Sequence, residues 1–159
     1  MAKPRPFLGL LAGVAAGLVA SAAMAAFQHR AGKLLPEDGK GEDPATVKAA
    51  DRASEALIDM PVPEPLRERA GMAVHYVTGA VLGGIYGVIT EYKPEASAGF
   101  GGAYGIATSA LLDEAAVPAA GLAPGPEDTP LVQHAYGAAS HLVYGIVLEG
   151  VRWLIAGRR

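Results

Sequence analysis

Five residues able to do acid–base or ligand chemistry stand inside or beside apolar stretches: His75, Asp113, Glu114, His134 and His141. His134 and His141 are seven apart, so on a helix they project from the same side. Imidazole titrates near neutral pH, and a neighbouring carboxylate can exchange a proton with it. Three chemistries are open to such a set. The histidines can act as hydrogen-bonding glue between helices. The set can form a proton or ion path, with His141 exchanging protons with Asp113 and Glu114. Finally, His75, His134, His141 and a carboxylate could hold a divalent metal, or two of the histidines a haem. No tight ligand spacing such as His-Glu-x-x-His supports that last option, and no metal or cofactor is expected.

A second group repeats. Tyr86-Gly87-Val88-Ile89-Thr90-Glu91 and Tyr144-Gly145-Ile146-Val147-Leu148-Glu149 each close an apolar segment. Glu149 and Arg152 are three apart and can pair on the surface of a helix. One reading is that Tyr86, Glu91, Tyr144, Glu149 and Arg152 set the depth of two related helices, with Tyr92 and Trp153 in the interfacial belt. The sharper reading is a gate, with Glu91 and Glu149 meeting across a pseudo-symmetric bundle.

Enzymatic patterns are missing. There is no phosphate-binding glycine loop with a Lys, no Gly-x-Ser-x-Gly and no nucleophile–base pair, so no catalytic residue is assigned. The absence of cysteine excludes disulfides and thiolate chemistry. A net charge of -3 gives no electrostatic reason to bind nucleic acid.

The elements that must position these groups are membrane helices. Charged residues are only 18% of the chain while hydrophobic ones are 51%, a balance that favours lipid over water as the surrounding solvent. Four spans are expected, at about 7–27, 70–91, 98–117 and 131–155, in one small all-α bundle packed through Gly and Ala. The first is uncharged and carries small residues at spacing four: Gly9, Gly13, Gly17, Ser21 and Ala25. Such a ladder lets another backbone come close. It also argues for a retained helix over a cleaved signal peptide, the alternative that Lys3, Arg5 and Ala23-Met24-Ala25 would allow. Gly79, Gly83 and Gly87 form a second ladder, and Gly101 and Gly105 begin a third. From Ala98 to Leu112 there is only roughly 22 Å of helix, so the third span must run on through Asp113 and Glu114 toward Pro118.

The polar loop 28–69 should hold a surface helix beginning at Asp43-Pro44, with Val47, Ala50, Leu57 and Ile58 as a weak apolar stripe. It is either solvated or interfacial, or it docks a protein partner. Four spans put both termini on the side of the loop at 91–97. The third loop lacks Lys and Arg, which leans the termini toward the cytoplasm. That topology also gathers His75, His134, Asp113 and Glu114, with His29, at the opposite end. His141 lies roughly 15 Å deeper.

The run Ile85-Tyr86-Gly87-Val88, then Glu91-Tyr92 with Pro94, Gly99-Phe100-Gly101 and Tyr104-Gly105, resembles the YagU-like family of bacterial inner-membrane proteins. The likeness continues through Glu114, Ala116-Val117-Pro118, Gly121-Leu122, His141, Tyr144-Gly145, Glu149 and Arg152, about half the chain. Relatives tend to have His-Glu where this chain has Asp113-Glu114. The resemblance implies a multi-pass protein of the bacterial inner membrane and no reaction. The expected function is a non-enzymatic structural or stress-related component whose polar face touches a partner. The alternative is proton or ion handling, for which a homo-oligomer is a more natural unit than one small bundle.

Overall fold

The computed structural model describes residues 3–34 and 43–157, and every regular element in them is helical. The stretch 35–42 of the long polar loop lies outside the described residues. Helix α1 (Pro6–Ala31) starts on Pro6, whose missing N–H would be unpaired in a first turn anyway. Helix α2 (Ala45–Ile58) follows Pro44, and α3 (Arg67–Tyr92) follows a proline-marked turn. Helix α4 (Gly102–Leu111) continues into a π-helical turn, Leu112–Ala116, and the short α5 (Val117–Ala119). Helix α6 (Leu131–Ala156) closes the fold.

Among the described residues, three stretches are long and apolar enough to cross a membrane: Pro6–Leu34, Glu64–Tyr92 and Leu131–Ala156. The expected span at 98–117 is not among them. Gly99, Phe100 and Gly101 all have positive φ, at 61°, 54° and 81°, so helix cannot begin before Gly102. Phe100 is the costly one, and its ring lies edge-on to Trp153 at 6.4 Å. The expected run through Asp113 and Glu114 is present, but as the π turn rather than as regular α-helix.

The ladders explain how the helices meet. Gly9, Gly13 and Gly17 lie against Gly87, Gly83 and Gly79, so α1 and α3 pack antiparallel with backbones touching. A Cβ on Gly13 would sit 2.1 Å from the Gly83 carbonyl oxygen. Helices α4 and α6 repeat the arrangement: Gly101 and Gly105 lie against Gly145 and the His141 carbonyl. Helix α1 also packs along α6. Between the two pairs, Tyr86, Tyr144, Leu148, Ala16, Ala20 and Met24 form the buried core.

The outside is apolar, and beside that core the interior holds small and charged residues. Val77, Val81, Ile85 and Ile89 make an exposed row on α3, while Glu91, Glu149 and Arg152 are buried. That inversion suits a hydrocarbon surround, where exposed apolar side chains cost nothing and charged groups must turn inward and pair.

Helix α2 is present where the loop reading placed it and is docked rather than free. Val47 and Ala50 are buried, Val47 against Gly71 of α3, whereas Leu57 and Ile58 are exposed, so only half of the expected stripe packs. Arg67 grips Asp51 at 2.7 Å and Asp43 at 2.6 Å. Arg52 holds the Ala120 and Gly121 carbonyls.

Candidate functional site

The π turn builds the first site. Consecutive residues on an α-helix point about 100° apart, so a regular helix would send Asp113 and Glu114 in different directions. The wider turn lets both reach α6. Asp113 lies 3.2 Å from His141 Nε2 and accepts from the Ser109 hydroxyl at 2.9 Å. Glu114 lies 2.7 Å from His134 Nδ1. The histidine pair seven apart on α6 therefore meets the two adjacent carboxylates one for one.

His75 takes a different partner. Its Nε2 donates to the Ser21 carbonyl at 3.1 Å, on the α1–α3 seam. It still shares a wall with the others, because Ser21, Met24, His75, Leu82, Asp113 and His141 line one cleft of about 630 Å³. His29 is exposed. Among the described residues no three of His, Cys, Asp or Glu converge as a metal cage. The four-ligand reading of His75, His134, His141 and a carboxylate thus lacks its geometry.

His141 is the least settled member. It is 7% exposed, its Nε2 faces Asp113, and its Nδ1 is buried with no hydrogen-bonding partner among the described residues. With Nε2–H turned to an ionised Asp113, Nδ1 carries a bare lone pair, which is a proton acceptor. Buried polar atoms are nearly always paired, so an orphan of this kind asks for an explanation.

The second group lies toward the other end of the bundle. Arg152 forks onto Glu149 through Nε at 2.7 Å and Nη2 at 2.8 Å, and the Tyr86 hydroxyl donates to the same carboxylate at 2.8 Å. The Glu149–Arg152 pair expected from the spacing is therefore formed, but Arg152 is 1% exposed. It is an interior pair and not a surface one. Glu91 is also buried and accepts from the Arg5 backbone N–H at 2.6 Å and from its guanidinium at 3.4 Å. Arg5 further donates to the Ala156 carbonyl, tying both ends of the chain to this cluster.

Tyr144 does not join them. Its hydroxyl donates to the Gly79 carbonyl at 2.6 Å and the residue lines the cleft instead. The two copies of the repeated block are thus equivalent in place and different in partner. Arg5, Ser109 and Ser21 were not marked by the sequence as members of any site. Arg5 precedes a charge-free helix and reads as a topology signal, and the two serines sit in small-residue ladders. No protein-family profile matches the chain, and comparison with curated proteins and with solved structures finds none that is similar.

Proposed function

We propose that the chain is a multi-pass membrane protein whose working part is the Asp113–His141 pair, handling a proton or a small cation in the cleft. The observation that carries this is the buried His141 ring, with one nitrogen on a carboxylate and the other without a partner among the described residues. A neutral ring so placed can take up a proton and pass it to Asp113, which Ser109 keeps oriented. In this reading residues 102–119 form a fourth, short crossing of about 27 Å. The membrane is the bacterial inner membrane suggested by the YagU-like resemblance, with the termini in the cytoplasm. The Glu149–Arg152–Tyr86 and Arg5–Glu91 contacts close the opposite end. A homo-oligomer supplies any path too wide for one bundle.

A test is proton uptake by liposomes holding the purified protein and an enclosed pH dye. Asp113→Asn, which keeps shape and the Ser109 contact, should abolish the protein-dependent flux. Flux equal to that of empty liposomes, or undiminished in Asp113→Asn, would overturn the reading.

A structural role is favoured by one different observation. Helix α2 is clamped to the bundle by Arg67 and Arg52 yet leaves Leu57 and Ile58 exposed. As a partner-docking face, α2 should lose capture of that partner in Leu57→Asp with proton flux unchanged.

A further inference from the structure

The acidic loop before α6 is bound by a cage that needs one specific protonation state. His134 Nδ1 stands 2.7 Å from Glu114 Oε1, and Nε2 stands 3.1 Å from both the Pro126 and the Thr129 carbonyl oxygens. Carbonyls only accept hydrogen bonds, and so does an ionised carboxylate. A neutral imidazole has one N–H. Either tautomer would therefore leave a bare nitrogen lone pair facing oxygen at hydrogen-bond distance. Only the doubly protonated ring satisfies all three partners.

We infer that His134 is a proton-operated latch: as imidazolium it straps the loop 121–130 to the π turn, and on losing its proton it lets that loop swing away. Among the described residues, the charged side chains that line the recess beside it are all acidic. Glu114 belongs to the π turn, Asp128 to the 3-10 turn Pro126–Asp128, and Asp113 to the wall of the same recess of about 480 Å³. Residues 113–130 contain no Lys or Arg. At the loop's other limb, Arg52 of α2 is bound to the Ala120 and Gly121 carbonyls. It anchors the start of the loop while His134 holds its end. Without the imidazolium, carboxylates face one another across the recess and repulsion opens it.

The consequence is control of access to Asp113, which lines both this recess and the larger cleft. As a regulator of proton handling the latch rests on the function proposed above. As a lock on the loop it does not.

The chain has no cysteine, so a nitroxide on Glu127→Cys in the full-length protein in nanodiscs reports this loop alone. We expect an immobilised spectrum at about pH 5 and a mobile one by about pH 9, spanning the range in which histidine changes charge. Ring nitrogens of ¹⁵N-histidine should show His134 protonated at both positions while the loop is immobile. His134→Gln, similar in reach and unable to titrate, should give one spectrum at both pH values. A loop equally mobile at both values in the unsubstituted His134 protein would overturn the inference. So would an immobile loop over a ring with a bare nitrogen, or a pH response that survives in His134→Gln. Because the nitroxide reads the loop and the liposome dye reads flux, a working latch without flux would sink only the proton-handling proposal. Flux without a latch would sink only this one.

Discussion

At the scale of single residues, the interior charges decide what can be changed. Arg152 and Glu149 are both buried and joined by two hydrogen bonds. Removing one partner of such a pair leaves the other charge stranded, at a cost of about 3–5 kcal/mol. Arg152→Leu should therefore lower the unfolding free energy in detergent by about that amount. Tyr86→Phe leaves the fork intact and removes one hydrogen bond to a charged acceptor, so about 1–3 kcal/mol is expected. A chemical unfolding series in mixed micelles would rank the two, and equal effects would mean that the fork is not the stronger contact. The spacing of Glu149 and Arg152 announced their pairing in the sequence. Their burial was not legible, because three residues of separation says nothing about which face of α6 turns inward. The sequence reading set His141 beside both Asp113 and Glu114; that Glu114 goes to His134 instead was not legible, because a π turn leaves no mark in composition or periodicity. Arg5 shows the limit most plainly, since its partner Glu91 is 86 positions away.

At the scale of elements, the ladders were legible because steric need is local. A glycine every fourth residue lines one face of a helix, and only a close neighbour gives that face a use. What the ladders could not give was register, which α1 and α3 settle carbonyl against Cα. Gly13→Ala should cost about 1–3 kcal/mol, since its Cβ would strike backbone and the helices must separate. Gly150→Ala is the control. Its Cβ would meet only the Phe100 ring, at 3.6 Å, and helix propensity would stabilise it by up to about 1 kcal/mol. Thermal melts of the two variants should shift in opposite directions. Helix α2 adds a pH-dependent prediction. Arg67, by hydrogen bonding to Asp51, holds that carboxyl below the ordinary aspartate value. A depressed folded-state value means that the docking contribution is present above about pH 4 and lost as pH falls through the folded value. Amide exchange in α2, corrected for its intrinsic pH dependence, should therefore rise selectively in that acid window, and Asp51→Asn should be loosened already at neutral pH. Exchange in α2 that stays flat on acidification would refute the clamp.

At the scale of the molecule, the repeated Tyr-Gly block proves to be the visible edge of a larger correspondence. The α1–α3 pair meets through Gly9, Gly13 and Gly17 on one side and Gly87, Gly83 and Gly79 on the other. The α4–α6 pair meets through Gly101, Gly105 and Ser109 against Gly145, His141 and Gly137. Each member of the second pair stands at the same step of the ladder as its counterpart, and Glu91 and Glu149 close both. Two antiparallel pairs of one design thus lie side by side in parallel orientation, an arrangement known among transporters. The pairs are held to each other by contacts that are not duplicated: Tyr86 to Glu149, Tyr144 to the Gly79 carbonyl, and Arg5 to the Ala156 carbonyl. This asymmetry makes a prediction about assembly. Chains 1–93 and 94–159, cut in the exposed connection between Lys93 and Pro94 and co-expressed, should reassociate and co-purify through a tag on either one. Self-pairing of 1–93 would be disfavoured, because Tyr86 would then meet Glu91, and the position equivalent to Arg152 is Pro94, which that fragment lacks. Discrimination of this kind is a difference of affinities: the mixed pair sets the Tyr86 hydroxyl on a Glu149 forked by Arg152, and the self pair offers only a Glu91 already held by Arg5. Arg152→Leu in the second fragment should erase the preference and allow mixed and self pairs in comparable amounts. Fragments that reach the membrane and never co-purify would show that the short connection, and not the contacts between the pairs, holds the bundle together.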